Sequence, residues 1–567
     1  MLSFHAVICY PLCSVILTNY RQYFCVQLFL VCLNLKMNAT WTALDESTRA
    51  VLHSAIVSKS VILTQQGLSN CIWAVQALGL SIYDAREDDI MAVGIRNSFS
   101  IATVRVTSNF TAQGVATTLY SMGKMGCVYS TIPIQTRMSL ESAFIREGSF
   151  VGAKEVSMAL YGLAKMDASW SIFPNNFRLL IISAVTKSCR SMDEQQLGNT
   201  VWALCQLGYG IKGQLGKALF AAIVMKQNEL KKQSLLAIFQ GLALQALMTK
   251  EDSYEYNENF ETIPNQEALW KDLPPALKDA LLASLKRLLE EPASMSGLRD
   301  SVISYEPKLA GTVLYWLGRL RAWHGDLPLH TLSRLLTHIN VAAIDLLSEE
   351  NTQSLDNETG EKQNLWGTWN SIVLGVNGIA NMGVTWDYMD NKDRDMLYST
   401  VTNTLSRHVQ ALTQIKEQGE ENSPNCLLSS AGISSLLWSF GRMGLKFRSF
   451  PLPTSLDGDE GTVGTSAFPV DTKETGSSVT KTQESKLEKN MLLAVESVAS
   501  VMTSHELAWS LWALAKTGIS FSDLIAGKRP LGMLLLLAVN KHIGAMEERE
   551  LSVVLWVSDV SHYMNSV

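Results

Sequence analysis

Residues 509–518 read Trp509-Ser510-Leu511-Trp512-Ala513-Leu514-Ala515-Lys516-Thr517-Gly518, and the same pattern returns along most of the chain. It stands as Asn70-Cys-Ile-Trp-Ala-Val-Gln-Ala-Leu-Gly79, Thr117-Thr-Leu-Tyr-Ser-Met-Gly-Lys-Met-Gly126 and Met158-Ala-Leu-Tyr-Gly-Leu-Ala-Lys-Met-Asp167. It stands again as Asn199-Thr-Val-Trp-Ala-Leu-Cys-Gln-Leu-Gly208 and Ser435-Leu-Leu-Trp-Ser-Phe-Gly-Arg-Met-Gly444. Weaker copies centre on Phe239, Tyr315, Asn377 and Trp556, so the central column is Trp73, Tyr120, Tyr161, Trp202, Phe239, Tyr315, Asn377, Trp438, Trp512 and Trp556. The first five copies are 47, 41, 41 and 37 residues apart, room for one helix pair per repeat. Such a pair cannot bury its apolar face alone and must stack on its neighbours.

The position before the central residue is aliphatic in all ten copies, from Ile72 and Leu119 to Leu511 and Leu555. With apolar residues four before and three after, as in Leu197, Val201 and Leu204, it makes a helical stripe. Small residues follow the central one in most copies (Ala74, Ser121, Gly162, Ala203, Ser439, Ala513), where adjacent helices can approach closely. The closing Gly79, Gly126, Gly208, Gly383, Gly444 and Gly518 suit a left-handed residue just past a helix end. Partner helices are clearest at 177–189, 215–225 and 277–289. The pattern predicts an all-α fold, an α-solenoid of about ten helix-pair repeats. Three stretches interrupt it, at about 249–267, 348–364 and 451–486, the last poor in aromatics and rich in Gly, Ser, Thr and acids. The expected organisation is an N-terminal helical cap over 37–65, solenoid over 66–450, a disordered linker over 451–486 and further repeats over 487–567.

Of 567 residues 47% are hydrophobic and 18% charged, a balance that favours much helix-on-helix burial. The net charge is −6, from 47 Lys and Arg against 53 Asp and Glu, so a polyanion would need a local stripe of cations. Nine cysteines show no Cys-x-x-Cys pair; Cys9, Cys13, Cys25 and Cys32 lie near the N-terminus and Cys71, Cys127, Cys189, Cys205 and Cys426 are scattered. They read as structural thiols in a reducing compartment. Two apolar stretches, 6–17 and 23–33, are too short for a membrane span. Residues 1–36 are read as a targeting segment, as an upstream extension before a true start at Met37, or as an anchor.

No catalytic pattern is evident. His-Glu-x-x-His spacing and a Gly-x-Ser-x-Gly elbow are absent from the sequence. Gly208, Gly210 and Gly213 match Gly-x-Gly-x-x-Gly but follow a repeat helix where a dinucleotide fold needs a strand, and read as a helix-ending turn. Gly527-Lys528 resembles the end of a phosphate loop, but Arg529 stands in place of Ser or Thr. Glu290 with Glu291 and Glu349 with Glu350 read as solvated helix ends. No catalytic residue, metal or cofactor is expected, and no small-molecule substrate.

Two rows of polar residues remain. Four places after the central residue stand Lys124, Lys165, Gln206, Arg319, Asn381, Arg442 and Lys516, a row that could follow a single-stranded phosphate backbone or serve as an ordinary polar last turn. Three places before it stand Asn70, Thr117, Asn199, Thr312 and Ser435, which could read base edges or simply solvate the helix. The aromatic column itself reads as core packing rather than a stacking platform, because its sequence neighbours are apolar.

The motif resembles the repeats of octotricopeptide proteins and of the FAST-kinase-like, leucine-rich organellar RNA proteins, with residues 506–518 the best copy and about 66–567 covered. The resemblance implies a single-stranded RNA partner, joined by other RNA-processing proteins, and a role in transcript processing, stability or translation. It implies a mitochondrial matrix location, with plastid or cytoplasm as alternatives, and no membrane partner. The chain stops inside its tenth repeat, without the nuclease-like RAP domain that ends many members, so no cleavage activity is expected. A protein-binding scaffold of the armadillo or HEAT kind is the alternative function.

Overall fold

Five of the clear copies of the motif carry both start and stop signals for their own helix. Thr64, Thr111, Asp193, Ser429 and Thr503, each nine residues before a central aromatic, accept a hydrogen bond from the backbone N–H three residues on, at 2.7–3.3 Å. This satisfies one of the orphan donors of a helix start, worth about 1 kcal/mol per cap. At the other end Gly79, Gly126, Gly208, Gly383, Gly444 and Gly518 hold φ between +71° and +89°. Most of the helices that result run 13 residues.

The computed structural model describes residues 40–83, 89–248, 269–290, 306–328, 330–345, 362–418, 428–447, 478–519, 524 and 531–564. The expectations for residues 1–36, Cys426, Gly527-Lys528, Glu291, Glu349 and Glu350 lie outside them. Among the described residues every regular element is helical. The helices are α1 (Glu46–Ser60), α2 (Gln65–Ala77), α3 (Ile90–Val106), α4 (Ala112–Lys124), α5 (Ile134–Arg146), α6 (Ala153–Lys165) and α7 (Asn175–Ser188). There follow α8 (Glu194–Gln206), α9 (Gly213–Met225), α10 (Lys232–Met248), α11 (Leu269–Asp272), α12 (Pro275–Glu290), α13 (Pro307–Arg319) and α14 (Thr331–Asp345). The last are α15 (Lys362–Asn381), α16 (Asn391–Gln418), α17 (Ser430–Met443), α18 (Ser478–Val498), α19 (Ser504–Lys516), α20 (Leu531–His542) and α21 (Glu548–Met564). Helix α18 begins inside the stretch expected to be linker; residues 451–477 lie outside the described residues.

The described residues form an α-solenoid in which partner and motif helices alternate along the chain, divided into two compact units. The first unit comprises residues up to Asn265 together with Leu273–Leu288; the second comprises Gln266–Asp272 and everything from Leu289. In the first, motif helices α2, α4, α6, α8 and α10 pack each on the next, and partner helices α1, α3, α5, α7 and α9 form a second layer in the same order. In the second, α13, α15, α17, α19 and α21 make the motif layer and α14, α16, α18 and α20 the partner layer. The core lies between the layers, and the aliphatic column fills it from Ile72 to Leu511. The tenth copy departs from the sequence expectation. Leu555 is 68% exposed, and Val553 and Val557 are buried in its place, so α21 presents a different stripe to its neighbours.

Small residues let the motif helices meet backbone to backbone. A Cβ on Gly162 would lie 2.3 Å from the carbonyl oxygen of Leu119, and one on Gly123 would lie 2.5 Å from that of Gly162. The second unit repeats the arrangement with Gly318 and Gly378. A backbone hydrogen bond also recurs, from the turn before a partner helix to the end of the motif helix that follows it. The N–H of Trp41, Tyr129, Trp170, Trp270 and Phe447 donates to Leu78, Met166, Leu207, Leu320 and Thr517, at 2.6–3.1 Å. Every acceptor stands five residues after a central aromatic, among the last carbonyls of a helix, which otherwise lack a partner.

Two copies close their helix without glycine: Asp167 (φ +54°) and Arg321 (φ +53°) occupy the same left-handed place. A side chain there costs about 1 kcal/mol relative to glycine. Asp167→Gly is expected to stabilise the chain by about 0.5–1 kcal/mol, seen as a raised denaturant midpoint with unchanged m-value.

The second unit contains a buried imidazole. His408 on α16 accepts the Leu428 N–H on Nδ1 at 3.1 Å, which leaves the proton of the neutral ring on Nε2, 3.3 Å from Ser497 Oγ. Burial lowers its pKa from 6.5 to about 4. Between those values the unfolded chain binds a proton that the fold refuses, so stability falls as pH drops from about 6.5 to about 4, by up to about 3 kcal/mol. Denaturant unfolding across that window should show the slope, and His408→Gln should flatten it.

Candidate functional site

An α-helix turns 100° per residue, so positions −7, −3, 0 and +4 from the central residue lie along one stripe of each motif helix. The structure places the central column at the margin of the core rather than inside it, which corrects the expectation of core packing. Trp202 (8% exposed) and Phe239 (0%) are buried, whereas Trp73, Tyr120, Tyr161, Tyr315, Trp438, Trp512 and Trp556 are half-exposed. Sequence neighbours could not reveal this, because the apolar residues flanking each aromatic point to a different side of the helix.

In the first unit half-exposed Tyr120 and Tyr161 form a ladder with buried Trp202. Tyr120 meets Tyr161 at 5.5 Å between centroids, and Tyr161 meets Trp202 at 5.2 Å. The cations of the +4 row sit on the rungs. Lys124 Nζ lies 6.0 Å from the Tyr120 ring and 5.5 Å from Tyr161, and Lys165 Nζ lies 5.9 Å from Tyr161 and 5.2 Å from Trp202. In the second unit Arg319 covers Tyr315 at 5.4 Å, Arg442 covers Trp438 at 5.3 Å, and Lys516 stands between Trp512 (5.9 Å) and Trp556 (5.4 Å). Each contact is worth about 0.5–1 kcal/mol at an exposed site. The rings thus hold Lys124 and Lys165 in place while both remain exposed.

Members of the row differ in availability. Lys124, Lys165 and Arg319 are exposed, and Gln206, Asn381 and Lys516 are half-exposed. Arg442 is half-exposed and donates from Nε to the Ala380 carbonyl at 3.1 Å; burial, and next the charge of Arg321, lower its pKa below the ordinary arginine value. Where the column lacks an aromatic, Asn377 donates to Ser435 Oγ at 3.0 Å and accepts from Asn381 Nδ2 at 2.8 Å. Ser435 is therefore engaged inside the protein. Of the other −3 residues, Asn70 is exposed and Thr117, Asn199 and Thr312 are half-exposed.

A third polar row escaped the sequence reading. Seven residues before the central one stand Gln66, Gln113, Lys154, Gln195, Lys232, Lys308, Asn370, His505 and Arg549, with Ala431 in the eighth copy. All but Lys232 and Asn370 are exposed. The signal was the same helical period, two turns back from each aromatic. Across the four positions in ten copies there is no Asp or Glu. Nine of the chain's 47 Lys and Arg stand there, so these positions carry +9 while the remaining residues carry −15. The chain's net charge conceals this segregation.

Other chemistry is sparse. Cys71, Cys127, Cys189 and Cys205 are buried, and burial pushes the Cys71 thiol up to about 12. Gly208 closes α8 and Gly213 opens α9, so the glycine triplet is a turn between helices. Glu290 pairs with Arg334 at the protein surface. Among the described residues no group of three His, Cys, Asp or Glu is placed to hold a metal ion, and no helix is long and apolar enough to cross a membrane. No protein-family model matches the sequence, and no curated protein is detectably similar to it.

Proposed function

We propose that this solenoid binds single-stranded RNA along the motif-helix stripe of each unit and serves transcript processing, stability or translation in a mitochondrion or plastid, performing no catalytic step itself. The observation that carries the reading is the stripe free of acidic side chains, on which exposed cations alternate with half-exposed aromatic rings. Phosphates would meet Lys124, Lys165, Arg319 and Lys516, and bases would meet ring faces and the neutral donors of the −3 and −7 rows. The organellar setting and the choice of RNA rest on the resemblance of the repeat.

Salt separates this from other kinds of binding. Three phosphate contacts on a single strand, at a slope of about −0.7 each, reduce affinity about 20-fold between about 50 and 200 mM monovalent salt. Affinity for RNA that is flat across that range would exclude the stripe. A protein partner is favoured by a different observation, the exposed Ile101, Met138 and Leu179 on the partner helices of the first unit. Such a partner would occupy the other layer and tolerate high salt.

A further inference from the structure

The ladder of the first unit stops short at its first rung. Tyr120, Tyr161 and Trp202 cover one another and are topped by Lys124 and Lys165. Trp73 is different: the first motif helix has Ala77 where the next two place Lys124 and Lys165, and among the described residues the Trp73 ring meets no other ring and no cation. Beside it opens a cleft of about 210 Å3 that crosses three successive motif helices, α2, α4 and α6. Its walls are Trp73 and Asn70 from α2, Gln113 and Thr117 from α4, and Lys154 and Glu155 from α6.

Four of these polar side chains, Asn70, Gln113, Thr117 and Lys154, make no hydrogen bond or ion pair with the described residues. Glu155 is committed, since its Oε2 accepts the Gly152 N–H at 3.2 Å and so caps α6. The volume is below the roughly 300–1,000 Å3 of a site for a drug-sized ligand and suits a single planar ring system. Trp73 offers a ring face for stacking. The Asn70 and Gln113 amides each offer a donor and an acceptor, and Thr117 a hydroxyl, the equipment for reading the edge of a base. Lys154, exposed at the rim, supplies a positive charge for a phosphate.

We propose that this cleft is a single-nucleotide pocket in which one base of a bound RNA strand stacks on Trp73, is read by Asn70, Gln113 and Thr117, and has its phosphate held by Lys154. The proposal rests on the RNA-binding reading and adds to it a place where one base is singled out, because the Trp73 ring lacks the ring and cation contacts that the ladder beyond already makes.

The test uses the full chain and a single-stranded RNA selected on it from a randomised pool, with each nucleotide in turn made abasic. The wild type is expected to lose about tenfold in affinity at one abasic position, the range for one stacked base. Trp73→Ala should weaken the intact RNA by about the same factor and remove the penalty at that position alone. Asn70→Ala with Thr117→Ala should weaken discrimination among bases there, and Lys154→Glu should weaken binding about tenfold at low salt. Lys154 and Asn70 are exposed, so their variants report on binding even where Trp73→Ala disturbs the fold. If the wild type selects no RNA, the RNA-binding reading falls and the pocket with it. If the wild type binds, Lys124→Glu with Lys165→Glu weakens it, and the cleft variants bind with unchanged affinity and an unchanged abasic profile, the pocket alone is overturned.

Discussion

Gly162→Val is expected to cost about 3 kcal/mol or more and to lower the thermal midpoint by about 10 °C, the largest loss for any single added side chain in the first unit. The reason is geometric. A Cβ at Gly162 would lie 2.3 Å from the Leu119 carbonyl oxygen and 2.7 Å from the Tyr120 nitrogen, and both are backbone atoms of a helix fixed by its own hydrogen bonds. No rotamer change relieves the clash, so α4 and α6 must separate. The rungs Tyr120 and Tyr161 separate with them, and RNA affinity should fall alongside stability. Gly544→Ala is the matching control: it has no atom within 4 Å of the added carbon and should change stability by less than about 0.5 kcal/mol. Equal midpoints for the two variants would mean that α4 and α6 are not in close contact.

Reversing the two exposed lysines of the ladder, Lys124→Glu with Lys165→Glu, should reduce RNA affinity about 100-fold at low salt. Each reversal removes a phosphate contact and adds a repelling charge, and a factor of ten corresponds to about 1.4 kcal/mol. The salt slope should become shallower by about 1.4, two single-strand contacts' worth. Stability should fall by about 2–4 kcal/mol, the four cation–π contacts with Tyr120, Tyr161 and Trp202 being lost. Arg442 is a poor choice for this measurement. Its Nε–H···O bond to Ala380 and its place over Trp438 make it part of the second unit's packing, so its reversal would confound folding with binding. Wild-type affinity in the double lysine variant would remove the ladder from the binding surface.

What could be read from the sequence followed from periodicity. The aliphatic column, the small column and the closing glycines each depend on local geometry that repeats every turn or every helix, and nine of the ten aliphatic positions are buried as that geometry requires. The tenth, Leu555, failed because periodicity says nothing about which stripe a helix turns towards its neighbour. The capping residues Thr64, Thr111, Asp193, Ser429 and Thr503 were open to the same reasoning and went unused. The aromatic column was misjudged for a physical reason: large rings on a helix margin are apolar by composition yet stay half in water, because covering them would take another layer. Cleft and ladder share one column, and the difference between Trp73 and Tyr120 arises from what the next helix offers each ring. That is a tertiary fact, which no alignment of the ten copies within one chain can supply.

The recurring bond from the turn before a partner helix to the last carbonyls of the following motif helix bears on how such an array responds to force. It is present at five of the ten copies, and among the described residues no strand reinforces it, so within a unit a pull on the chain would meet these links in series. Within a unit, tension would release repeats singly from an end, each freed helix pair exposing its own donors and half of one interface. On the proposed reading, an RNA strand bound along the motif-helix stripe of a unit would carry part of that load. Occupied, the array would resist being drawn out; empty, it would unravel repeat by repeat.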